Sequence, residues 1–284
     1  MSGDGSFPKR ILCATAQTTE RAAKIEAKNF GAVSQGLLCA KIGGAMVCGE
    51  LRRALNKEGV KIGKYQVRRL MREQNLKAIQ PKRFVPKTTD SKGFAPAPDL
   101  LKDIKTENCA ARKIIIGDIT YIALQNGSWR YLAMWQDKVT RRIIGWSLSD
   151  SMTAGLVISA LQKAIGKGLV AAVAIIHSDR GSQYASNGFR ELLQKEGLRQ
   201  SMSGKGNCYD NAQAGSFFSR FKTELIEGGA FENLEQALSE IFSYIEGYYN
   251  RVRLHSGLGY KSPLEFEAEL KIKNGGKIES FLSI

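Results

Sequence analysis

The sequence predicts an α/β fold, a mixed sheet flanked by helices, preceded by a small basic all-α region with a helix-turn-helix-like outline. Three observations carry this. At 284 residues the chain is long enough for about two domains. From Lys113 onward, three β-branched and aromatic runs (KIIIGDITYIAL, WRYLAMWQDKV and RRIIGWSLS) are separated by the hairpin-sized connections QNGS and Thr140–Arg141. Between Leu51 and Thr88 stand twelve basic residues opposed only by Glu58 and Glu73, a net charge of +10 in a chain of +15 overall.

Residues 1–44 receive no assignment: their Ala/Gly/Ser-rich composition allows only weak helix around Thr18–Ala27. In 45–80, Leu51, Leu55 and Val60 bracket a short amphipathic unit that stops at Gly59. Tyr65, Val67, Leu70, Met71 and Leu76 then recur at helical spacing, with arginines on the other faces. Pro81, Pro86, Pro96 and Pro98 mark 81–107 as a linker. The sheet domain is expected over 108–270, with 271–284 as a tail. After its three strands come a helix near Thr153–Ile165, the apolar run VAAVAIIHSD read as a buried strand, a helix over Asn187–Glu196, a short strand over Leu198–Met202 and a helix over Asn211–Glu227.

Composition excludes several classes. With 43% hydrophobic residues the chain can build a core, so global disorder is ruled out. The longest apolar stretch, Leu169–Ile176, is far short of the roughly 20 residues of a membrane span, and no signal peptide is visible, so a soluble cytoplasmic protein is expected. Five scattered cysteines suit reduced thiols, and two histidines cannot build a structural zinc module. The basic block fits a binder of phosphate backbones, with Arg52, Arg53, Lys64, Arg68, Arg69 and Arg72 as candidate DNA contacts; a merely solvated surface is the alternative.

Two acids stand out by position. Asp118 interrupts an otherwise apolar strand, and Asp179 follows the next long apolar strand in HSDRG. Carboxylates so placed are costly unless paired or bound to metal. Each alone could be an ion pair, for instance with Arg180. Together, on what should be neighbouring strands, they look like ligands for a hard divalent cation.

GDITYI, HSDRGSQYAS, SMSGKGNCYDNA, SFFSRFKTEL and YYNRVRLHSGLGYKSPLEF closely resemble the OrfB-type insertion-sequence transposases, over about Leu51–Glu267. The resemblance implies a retroviral-integrase-like core of the RNase H-like fold with five strands. It also implies a DDE site in which two aspartates and a glutamate hold two Mg²⁺ (or Mn²⁺) ions. Asp118 matches the first aspartate and Asp179 the second. The third acid should follow with 35 residues between, and that position is Gly215. Asn211 and Lys222 match residues one turn before and two turns after it, so the register holds and only the acid is missing. A glycine for close helix packing is the alternative.

By the same resemblance, water frees a 3′-OH at the element end and that hydroxyl attacks target DNA. The implied partners are element ends and target DNA, further copies of the chain, and a second frame product that supplies end recognition, all at the bacterial nucleoid and with no membrane. Lys222, Arg251 and Arg253 are candidate DNA contacts, as is His255; His177 could assist catalysis or cap a strand end; Tyr248 and Tyr249 suit the core. The expected activity is Mg²⁺-dependent strand cleavage and transfer, impaired by Gly215. An inactive end-binding repressor subunit and an RNase H-like nuclease compete with it.

Overall fold

The computed structural model describes residues 48–57, 59–73, 96–102, 104, 109–204, 212–226 and 229–273. Expectations for 1–44, for Leu76, Pro81, Pro86 and Asn211, and for the tail beyond 273 fall outside them. The chain divides into two compact units, Met1–Ala78 and Ile79–Ile284.

In the first unit, helix α1 (Cys48–Lys57) and helix α2 (Lys64–Glu73) pack Leu51, Leu55, Ile62 and Val67 into one small core. The turn between them is built by its sequence. Gly59 takes φ +84°, which a side chain would resist, and its N–H donates to the Asn56 carbonyl. Asn56 Oδ1 then accepts from the Ile62 N–H at 3.0 Å. Tyr65 departs from the sequence reading, being 83% exposed. The α2 face that buries Val67 has no place for it, and Ile62 from the turn takes that role.

The second unit is a five-stranded sheet, β1 (Ile114–Ala123), β2 (Trp129–Asp137), β3 (Ile143–Ser149), β4 (Ile175–Ser178) and β5 (Arg199–Met202), in the order β3-β2-β1-β4-β5. The three hairpin strands are antiparallel; β1, β4 and β5 are parallel. Helices α3 (Ala154–Gly166), α4 (Ser182–Ala185) and α5 (Asn187–Lys195) cover one face, burying Leu156, Val157, Leu161 and Phe189 against Ile115, Trp135 and Ile176. Helices α6 (Ala212–Phe221) and α7 (Leu234–Phe242) cover the other, where Phe217, Phe221 and Ile241 meet Ile116, Ile122 and Met134. Each of α6 and α7 runs on into a π-helical segment, Lys222–Ile226 and Ser243–Tyr249; helix α8 (Pro263–Lys273) closes the described residues. The expected mixed sheet flanked by helices is the observed architecture.

Two boundaries differ from the sequence reading. The apolar run before Asp179 is strand only from Ile175. Gly168 leaves α3 at φ +65° and Val173 stands 60% exposed at φ +57°, so the first half of the run makes the turn instead. Part of the segment expected as linker is built into the sheet domain. Leu100 N–H donates to Ser201 Oγ at 2.9 Å, the Met202 N–H donates to the Pro98 carbonyl, and Leu101 is buried with Ile114 and Ile175.

Candidate active site

Sheet register brings the two aspartates together. Parallel pairing matches Ile116 with His177, so two residues further on the same register sets Asp118, in β1, level with Asp179, one residue past the end of β4. Gly117, before Asp118, faces the other side, where a Cβ would run into the Trp135 ring. The glycine thus lets Trp135 stack on Phe189 (5.8 Å between centroids) directly beneath the acid-bearing strand.

Both carboxylates are half-buried, and neither has a cationic partner within ion-pair distance among the described residues. Asp118 Oδ1 accepts only the Ile119 N–H, at 2.8 Å; Asp179 Oδ1 accepts the Gly181 N–H at 3.0 Å. Arg180 turns away and donates through Nε to the Ser203 carbonyl at 2.9 Å. Loss of water, and then the negative charge of Asp179, push Asp118 up to about 7. Burial likewise raises Asp179. Two acids that repel each other, eased only by backbone N–H groups and by the charge of Lys222 on Asp118, are a poor design for stability and a suitable one for a cation.

Helix α6 passes the same place. Burial lowers Lys222, and the charge of Asp118 acts on it in the opposite sense, so the ammonium lies in that carboxylate's field. Gly215 is exposed, and beyond its chain neighbours and its own helix backbone no described atom lies within 4 Å of where its Cβ would stand. The close-packing alternative therefore has nothing to pack. Among the described residues no group of three or more Asp, Glu, His or Cys is placed to hold a metal ion.

Other candidates are placed differently. His177 is fully buried in β4, with Nδ1 2.9 Å from Ser201 Oγ and Nε2 3.2 Å from Ser203 Oγ. Ser201 already accepts the Leu100 N–H, so its proton goes to Nδ1; Ser203 donates to the Ser178 carbonyl at 3.3 Å, so it accepts from Nε2–H. Every polar atom of the ring is used in joining β4 to β5, which leaves none for catalytic assistance. Arg253, expected at the DNA, is 4% exposed; its Nη2 donates to Glu224 Oε1 at 2.8 Å and its Nε to both carboxylate oxygens at 3.0 Å. Tyr244 donates to Glu224 Oε2 at 2.7 Å, so Glu224 is committed to a buried pair. Arg251 is exposed, its Nε donating to the Glu246 carbonyl at 3.2 Å. Tyr248 and Tyr249 are core residues, as expected. In the first unit Arg53, Lys64, Arg68, Arg69 and Arg72 are exposed and Arg52 is half-buried.

Sequence reasoning missed the Glu224–Arg253 pair, because its members are 29 residues apart. Replacing Arg253 with Met strands the carboxylate and is expected to cost about 3–5 kcal/mol in urea unfolding, while the Glu224→Leu/Arg253→Met double variant recovers most of it.

A mixed five-stranded sheet in the order β3-β2-β1-β4-β5 with helices on both faces is an RNase H-like architecture. Residues 110–208 match the integrase core domain family, residues 196–263 match a second integrase core domain family, and residues 48–84 match an HTH-like domain. The chain is 40% identical over 218 residues to the transposase for insertion sequence element IS904 of Lactococcus lactis subsp. lactis (strain IL1403), covering 76% of this chain and 85% of that protein. It is 41% identical over 197 residues to transposase InsF for insertion sequence IS3A of Escherichia coli (strain K12), covering 69% and 68% respectively. Among solved structures it resembles the simian T-cell lymphotropic virus intasome in complex with PP2A regulatory subunit B56 gamma, with TM-score 0.47 and 17% identity, over 82% of this chain and 72% of that one. The chain belongs to the insertion-sequence transposases with an integrase core. No helix among the described residues is long and apolar enough to cross a membrane.

Proposed function

We propose that the chain acts on DNA through Asp118 and Asp179, as a DDE-type strand-cleaving and strand-transferring enzyme whose third acid is replaced by Gly215. The observation that carries this is a pair of half-buried, mutually repelling carboxylates without an ion-pair partner among the described residues, Asp118 in β1 and Asp179 just past the end of β4. Both are hard oxygen donors, and a Mg²⁺ or Mn²⁺ ion would be held between them. Such an ion, when bound, activates the attacking oxygen and neutralises charge at the phosphorus. Around it, Lys222 draws a phosphate oxygen toward the acids, and the basic helices of the first unit hold the duplex by its backbone. At position 215 no carboxylate is present to complete a second ion's ligands, so the reaction is slow. The proposed setting is the bacterial nucleoid, with several copies assembled on element ends and with a second frame product for end recognition. A second reading, an end-binding subunit without catalysis, is favoured by Gly215 itself.

The test is cleavage of labelled duplexes carrying the element's terminal inverted repeats, with and without Mg²⁺ or Mn²⁺. Slow metal-dependent nicking at the element end supports the enzyme. Metal-independent end binding without any nicking, even at long incubation, supports the second reading.

The pH dependence of folding has a predicted sign. Burial, and then the charges of Arg253, Arg141 and Arg220, hold His255 down to about 3, below its ordinary value of 6.5. Above 6.5 both folded and unfolded forms are neutral. As pH falls below 6.5 only the unfolded form takes the proton, so stability is lost. Asp118 acts oppositely, so the measurement is the wild type minus His255→Gln: between pH 6.5 and 4.5 the wild type should lose about 2 kcal/mol relative to the variant in urea melts.

A further inference from the structure

Helix α6 has a second polar face. At 100° per residue, Ala214, Phe217, Phe218 and Phe221 form its buried stripe; Gly215 flanks that stripe on one side, Gln213, Ser216 and Arg220 on the other. On this second side, apart from Asp118 and Asp179, is a cavity of about 340 Å³ whose wall includes Gln136, Arg141, Ser216, Arg220, Tyr249 and His255.

The wall is polar, cationic and incompletely bonded. Gln136 is 1% exposed, and its Nε2 donates to the Arg141 carbonyl at 2.9 Å and to the Tyr249 hydroxyl at 3.0 Å. That fixes the amide and leaves Oε1 buried with no partner. His255 is 6% exposed, packed edge-on against Tyr249 with 4.9 Å between centroids, and its Nε2 is also buried with no partner. Arg141 and Arg220 have no side-chain hydrogen bond or carboxylate partner among the described residues, and the Arg141 guanidinium lies over Gly257, where a Cβ would displace it. Burial first, and then the charges of Arg253, Arg141 and Arg220, keep the His255 ring neutral and able to present an N–H. Two guanidiniums around two orphaned buried atoms would repel a cation and reward an anion with several oxygens.

We propose that this cavity is a phosphate site: Arg141 and Arg220 clamp the anion, His255 Nε2–H donates to one oxygen, and Gln136 Oε1 accepts from a protonated oxygen or from a water carried with it. The phosphate group is the shared chemistry of two sources, a duplex backbone and free phosphate. Assigning it to a duplex rests on the DNA reading above; the anion chemistry does not.

The test uses the full chain and three variants: Arg220→Gln, Ser216→Asp and Ser216→Asn. Ser216 is exposed at the cavity, so the last two differ in charge with little effect on folding, which circular dichroism checks. Inorganic phosphate binding is measured by calorimetry against chloride at constant ionic strength, and duplex affinity across a salt series. Arg220→Gln and Ser216→Asp should weaken phosphate binding at least tenfold, with Ser216→Asn near wild type. The same two should flatten the slope of log affinity against log salt by about one phosphate contact. Weakened phosphate binding with an unchanged slope supports the site and overturns its assignment to DNA. If the wild type binds phosphate no better than chloride and the slopes are equal, the proposal is overturned while the DNA reading stands. Absence of any duplex binding by the wild type would instead sink that reading.

Discussion

Gly215→Glu is expected to raise divalent-dependent cleavage and strand transfer at least a hundredfold. The position is exposed, and beyond its chain neighbours and its own helix backbone the new Cβ meets no described atom within 4 Å, so the side chain enters open space. Removing a helix-interior glycine should also stabilise α6 by up to about 1 kcal/mol, which separates the two effects: Gly215→Ala gains the stability without the activity. A carboxylate here would lie across the buried stripe of α6 from Arg220, away from the cavity there, and on the proposed reading would be the third acid beside Asp118 and Asp179. The measurement is single-turnover nicking and joining of element-end duplexes in Mg²⁺. Equal rates for the glycine and glutamate forms would show that position 215 is not the missing ligand.

In that restored background, Asp118→Asn or Asp179→Asn should each lower the rate by three orders of magnitude or more, leaving duplex binding within about twofold. The reason is a division of labour: backbone affinity rests on Lys and Arg, whereas each asparagine removes one of the two mutually repelling carboxylates proposed to hold the cation. Both variants should remain folded. Asp118 is held up to about 7 by burial and by Asp179, so an uncharged isostere relieves repulsion instead of leaving a partner stranded. A variant that keeps full activity would remove that residue from the mechanism; one that unfolds would contradict the absence of any ion pair there.

Much of the sheet domain is legible from local pattern. The strands β1, β2 and β3 alternate or saturate with β-branched and aromatic residues, and Asn126–Gly127 punctuates the first hairpin. Apolar content cannot tell strand from turn at 169–174, where the chain must leave α3 before it can pair, and so β4 is shorter than its hydrophobic run. The sequence reading assigns no element to α7, although Ala237, Ile241, Tyr244, Ile245 and Tyr248 repeat at helical spacing and could have marked it. Asp118 and Asp179 are visible because acids are conspicuous in apolar strands. Arg253 and His255 are not, since an arginine written in a polar stretch looks the same whether it meets solvent or a glutamate 29 residues away. The absence at Gly215 is legible only through register with the transposase motifs.

The alignment of Ile116 with His177 has one more consequence. A slip of one residue in how β4 zips onto β1 would turn Asp179 to the opposite face of the sheet. Such a molecule could still be compact, yet the two carboxylates would no longer share a face, and the proposed cation site would be lost. On that proposal, correct threading of two neighbouring strands is itself the step at which the chemistry is assembled.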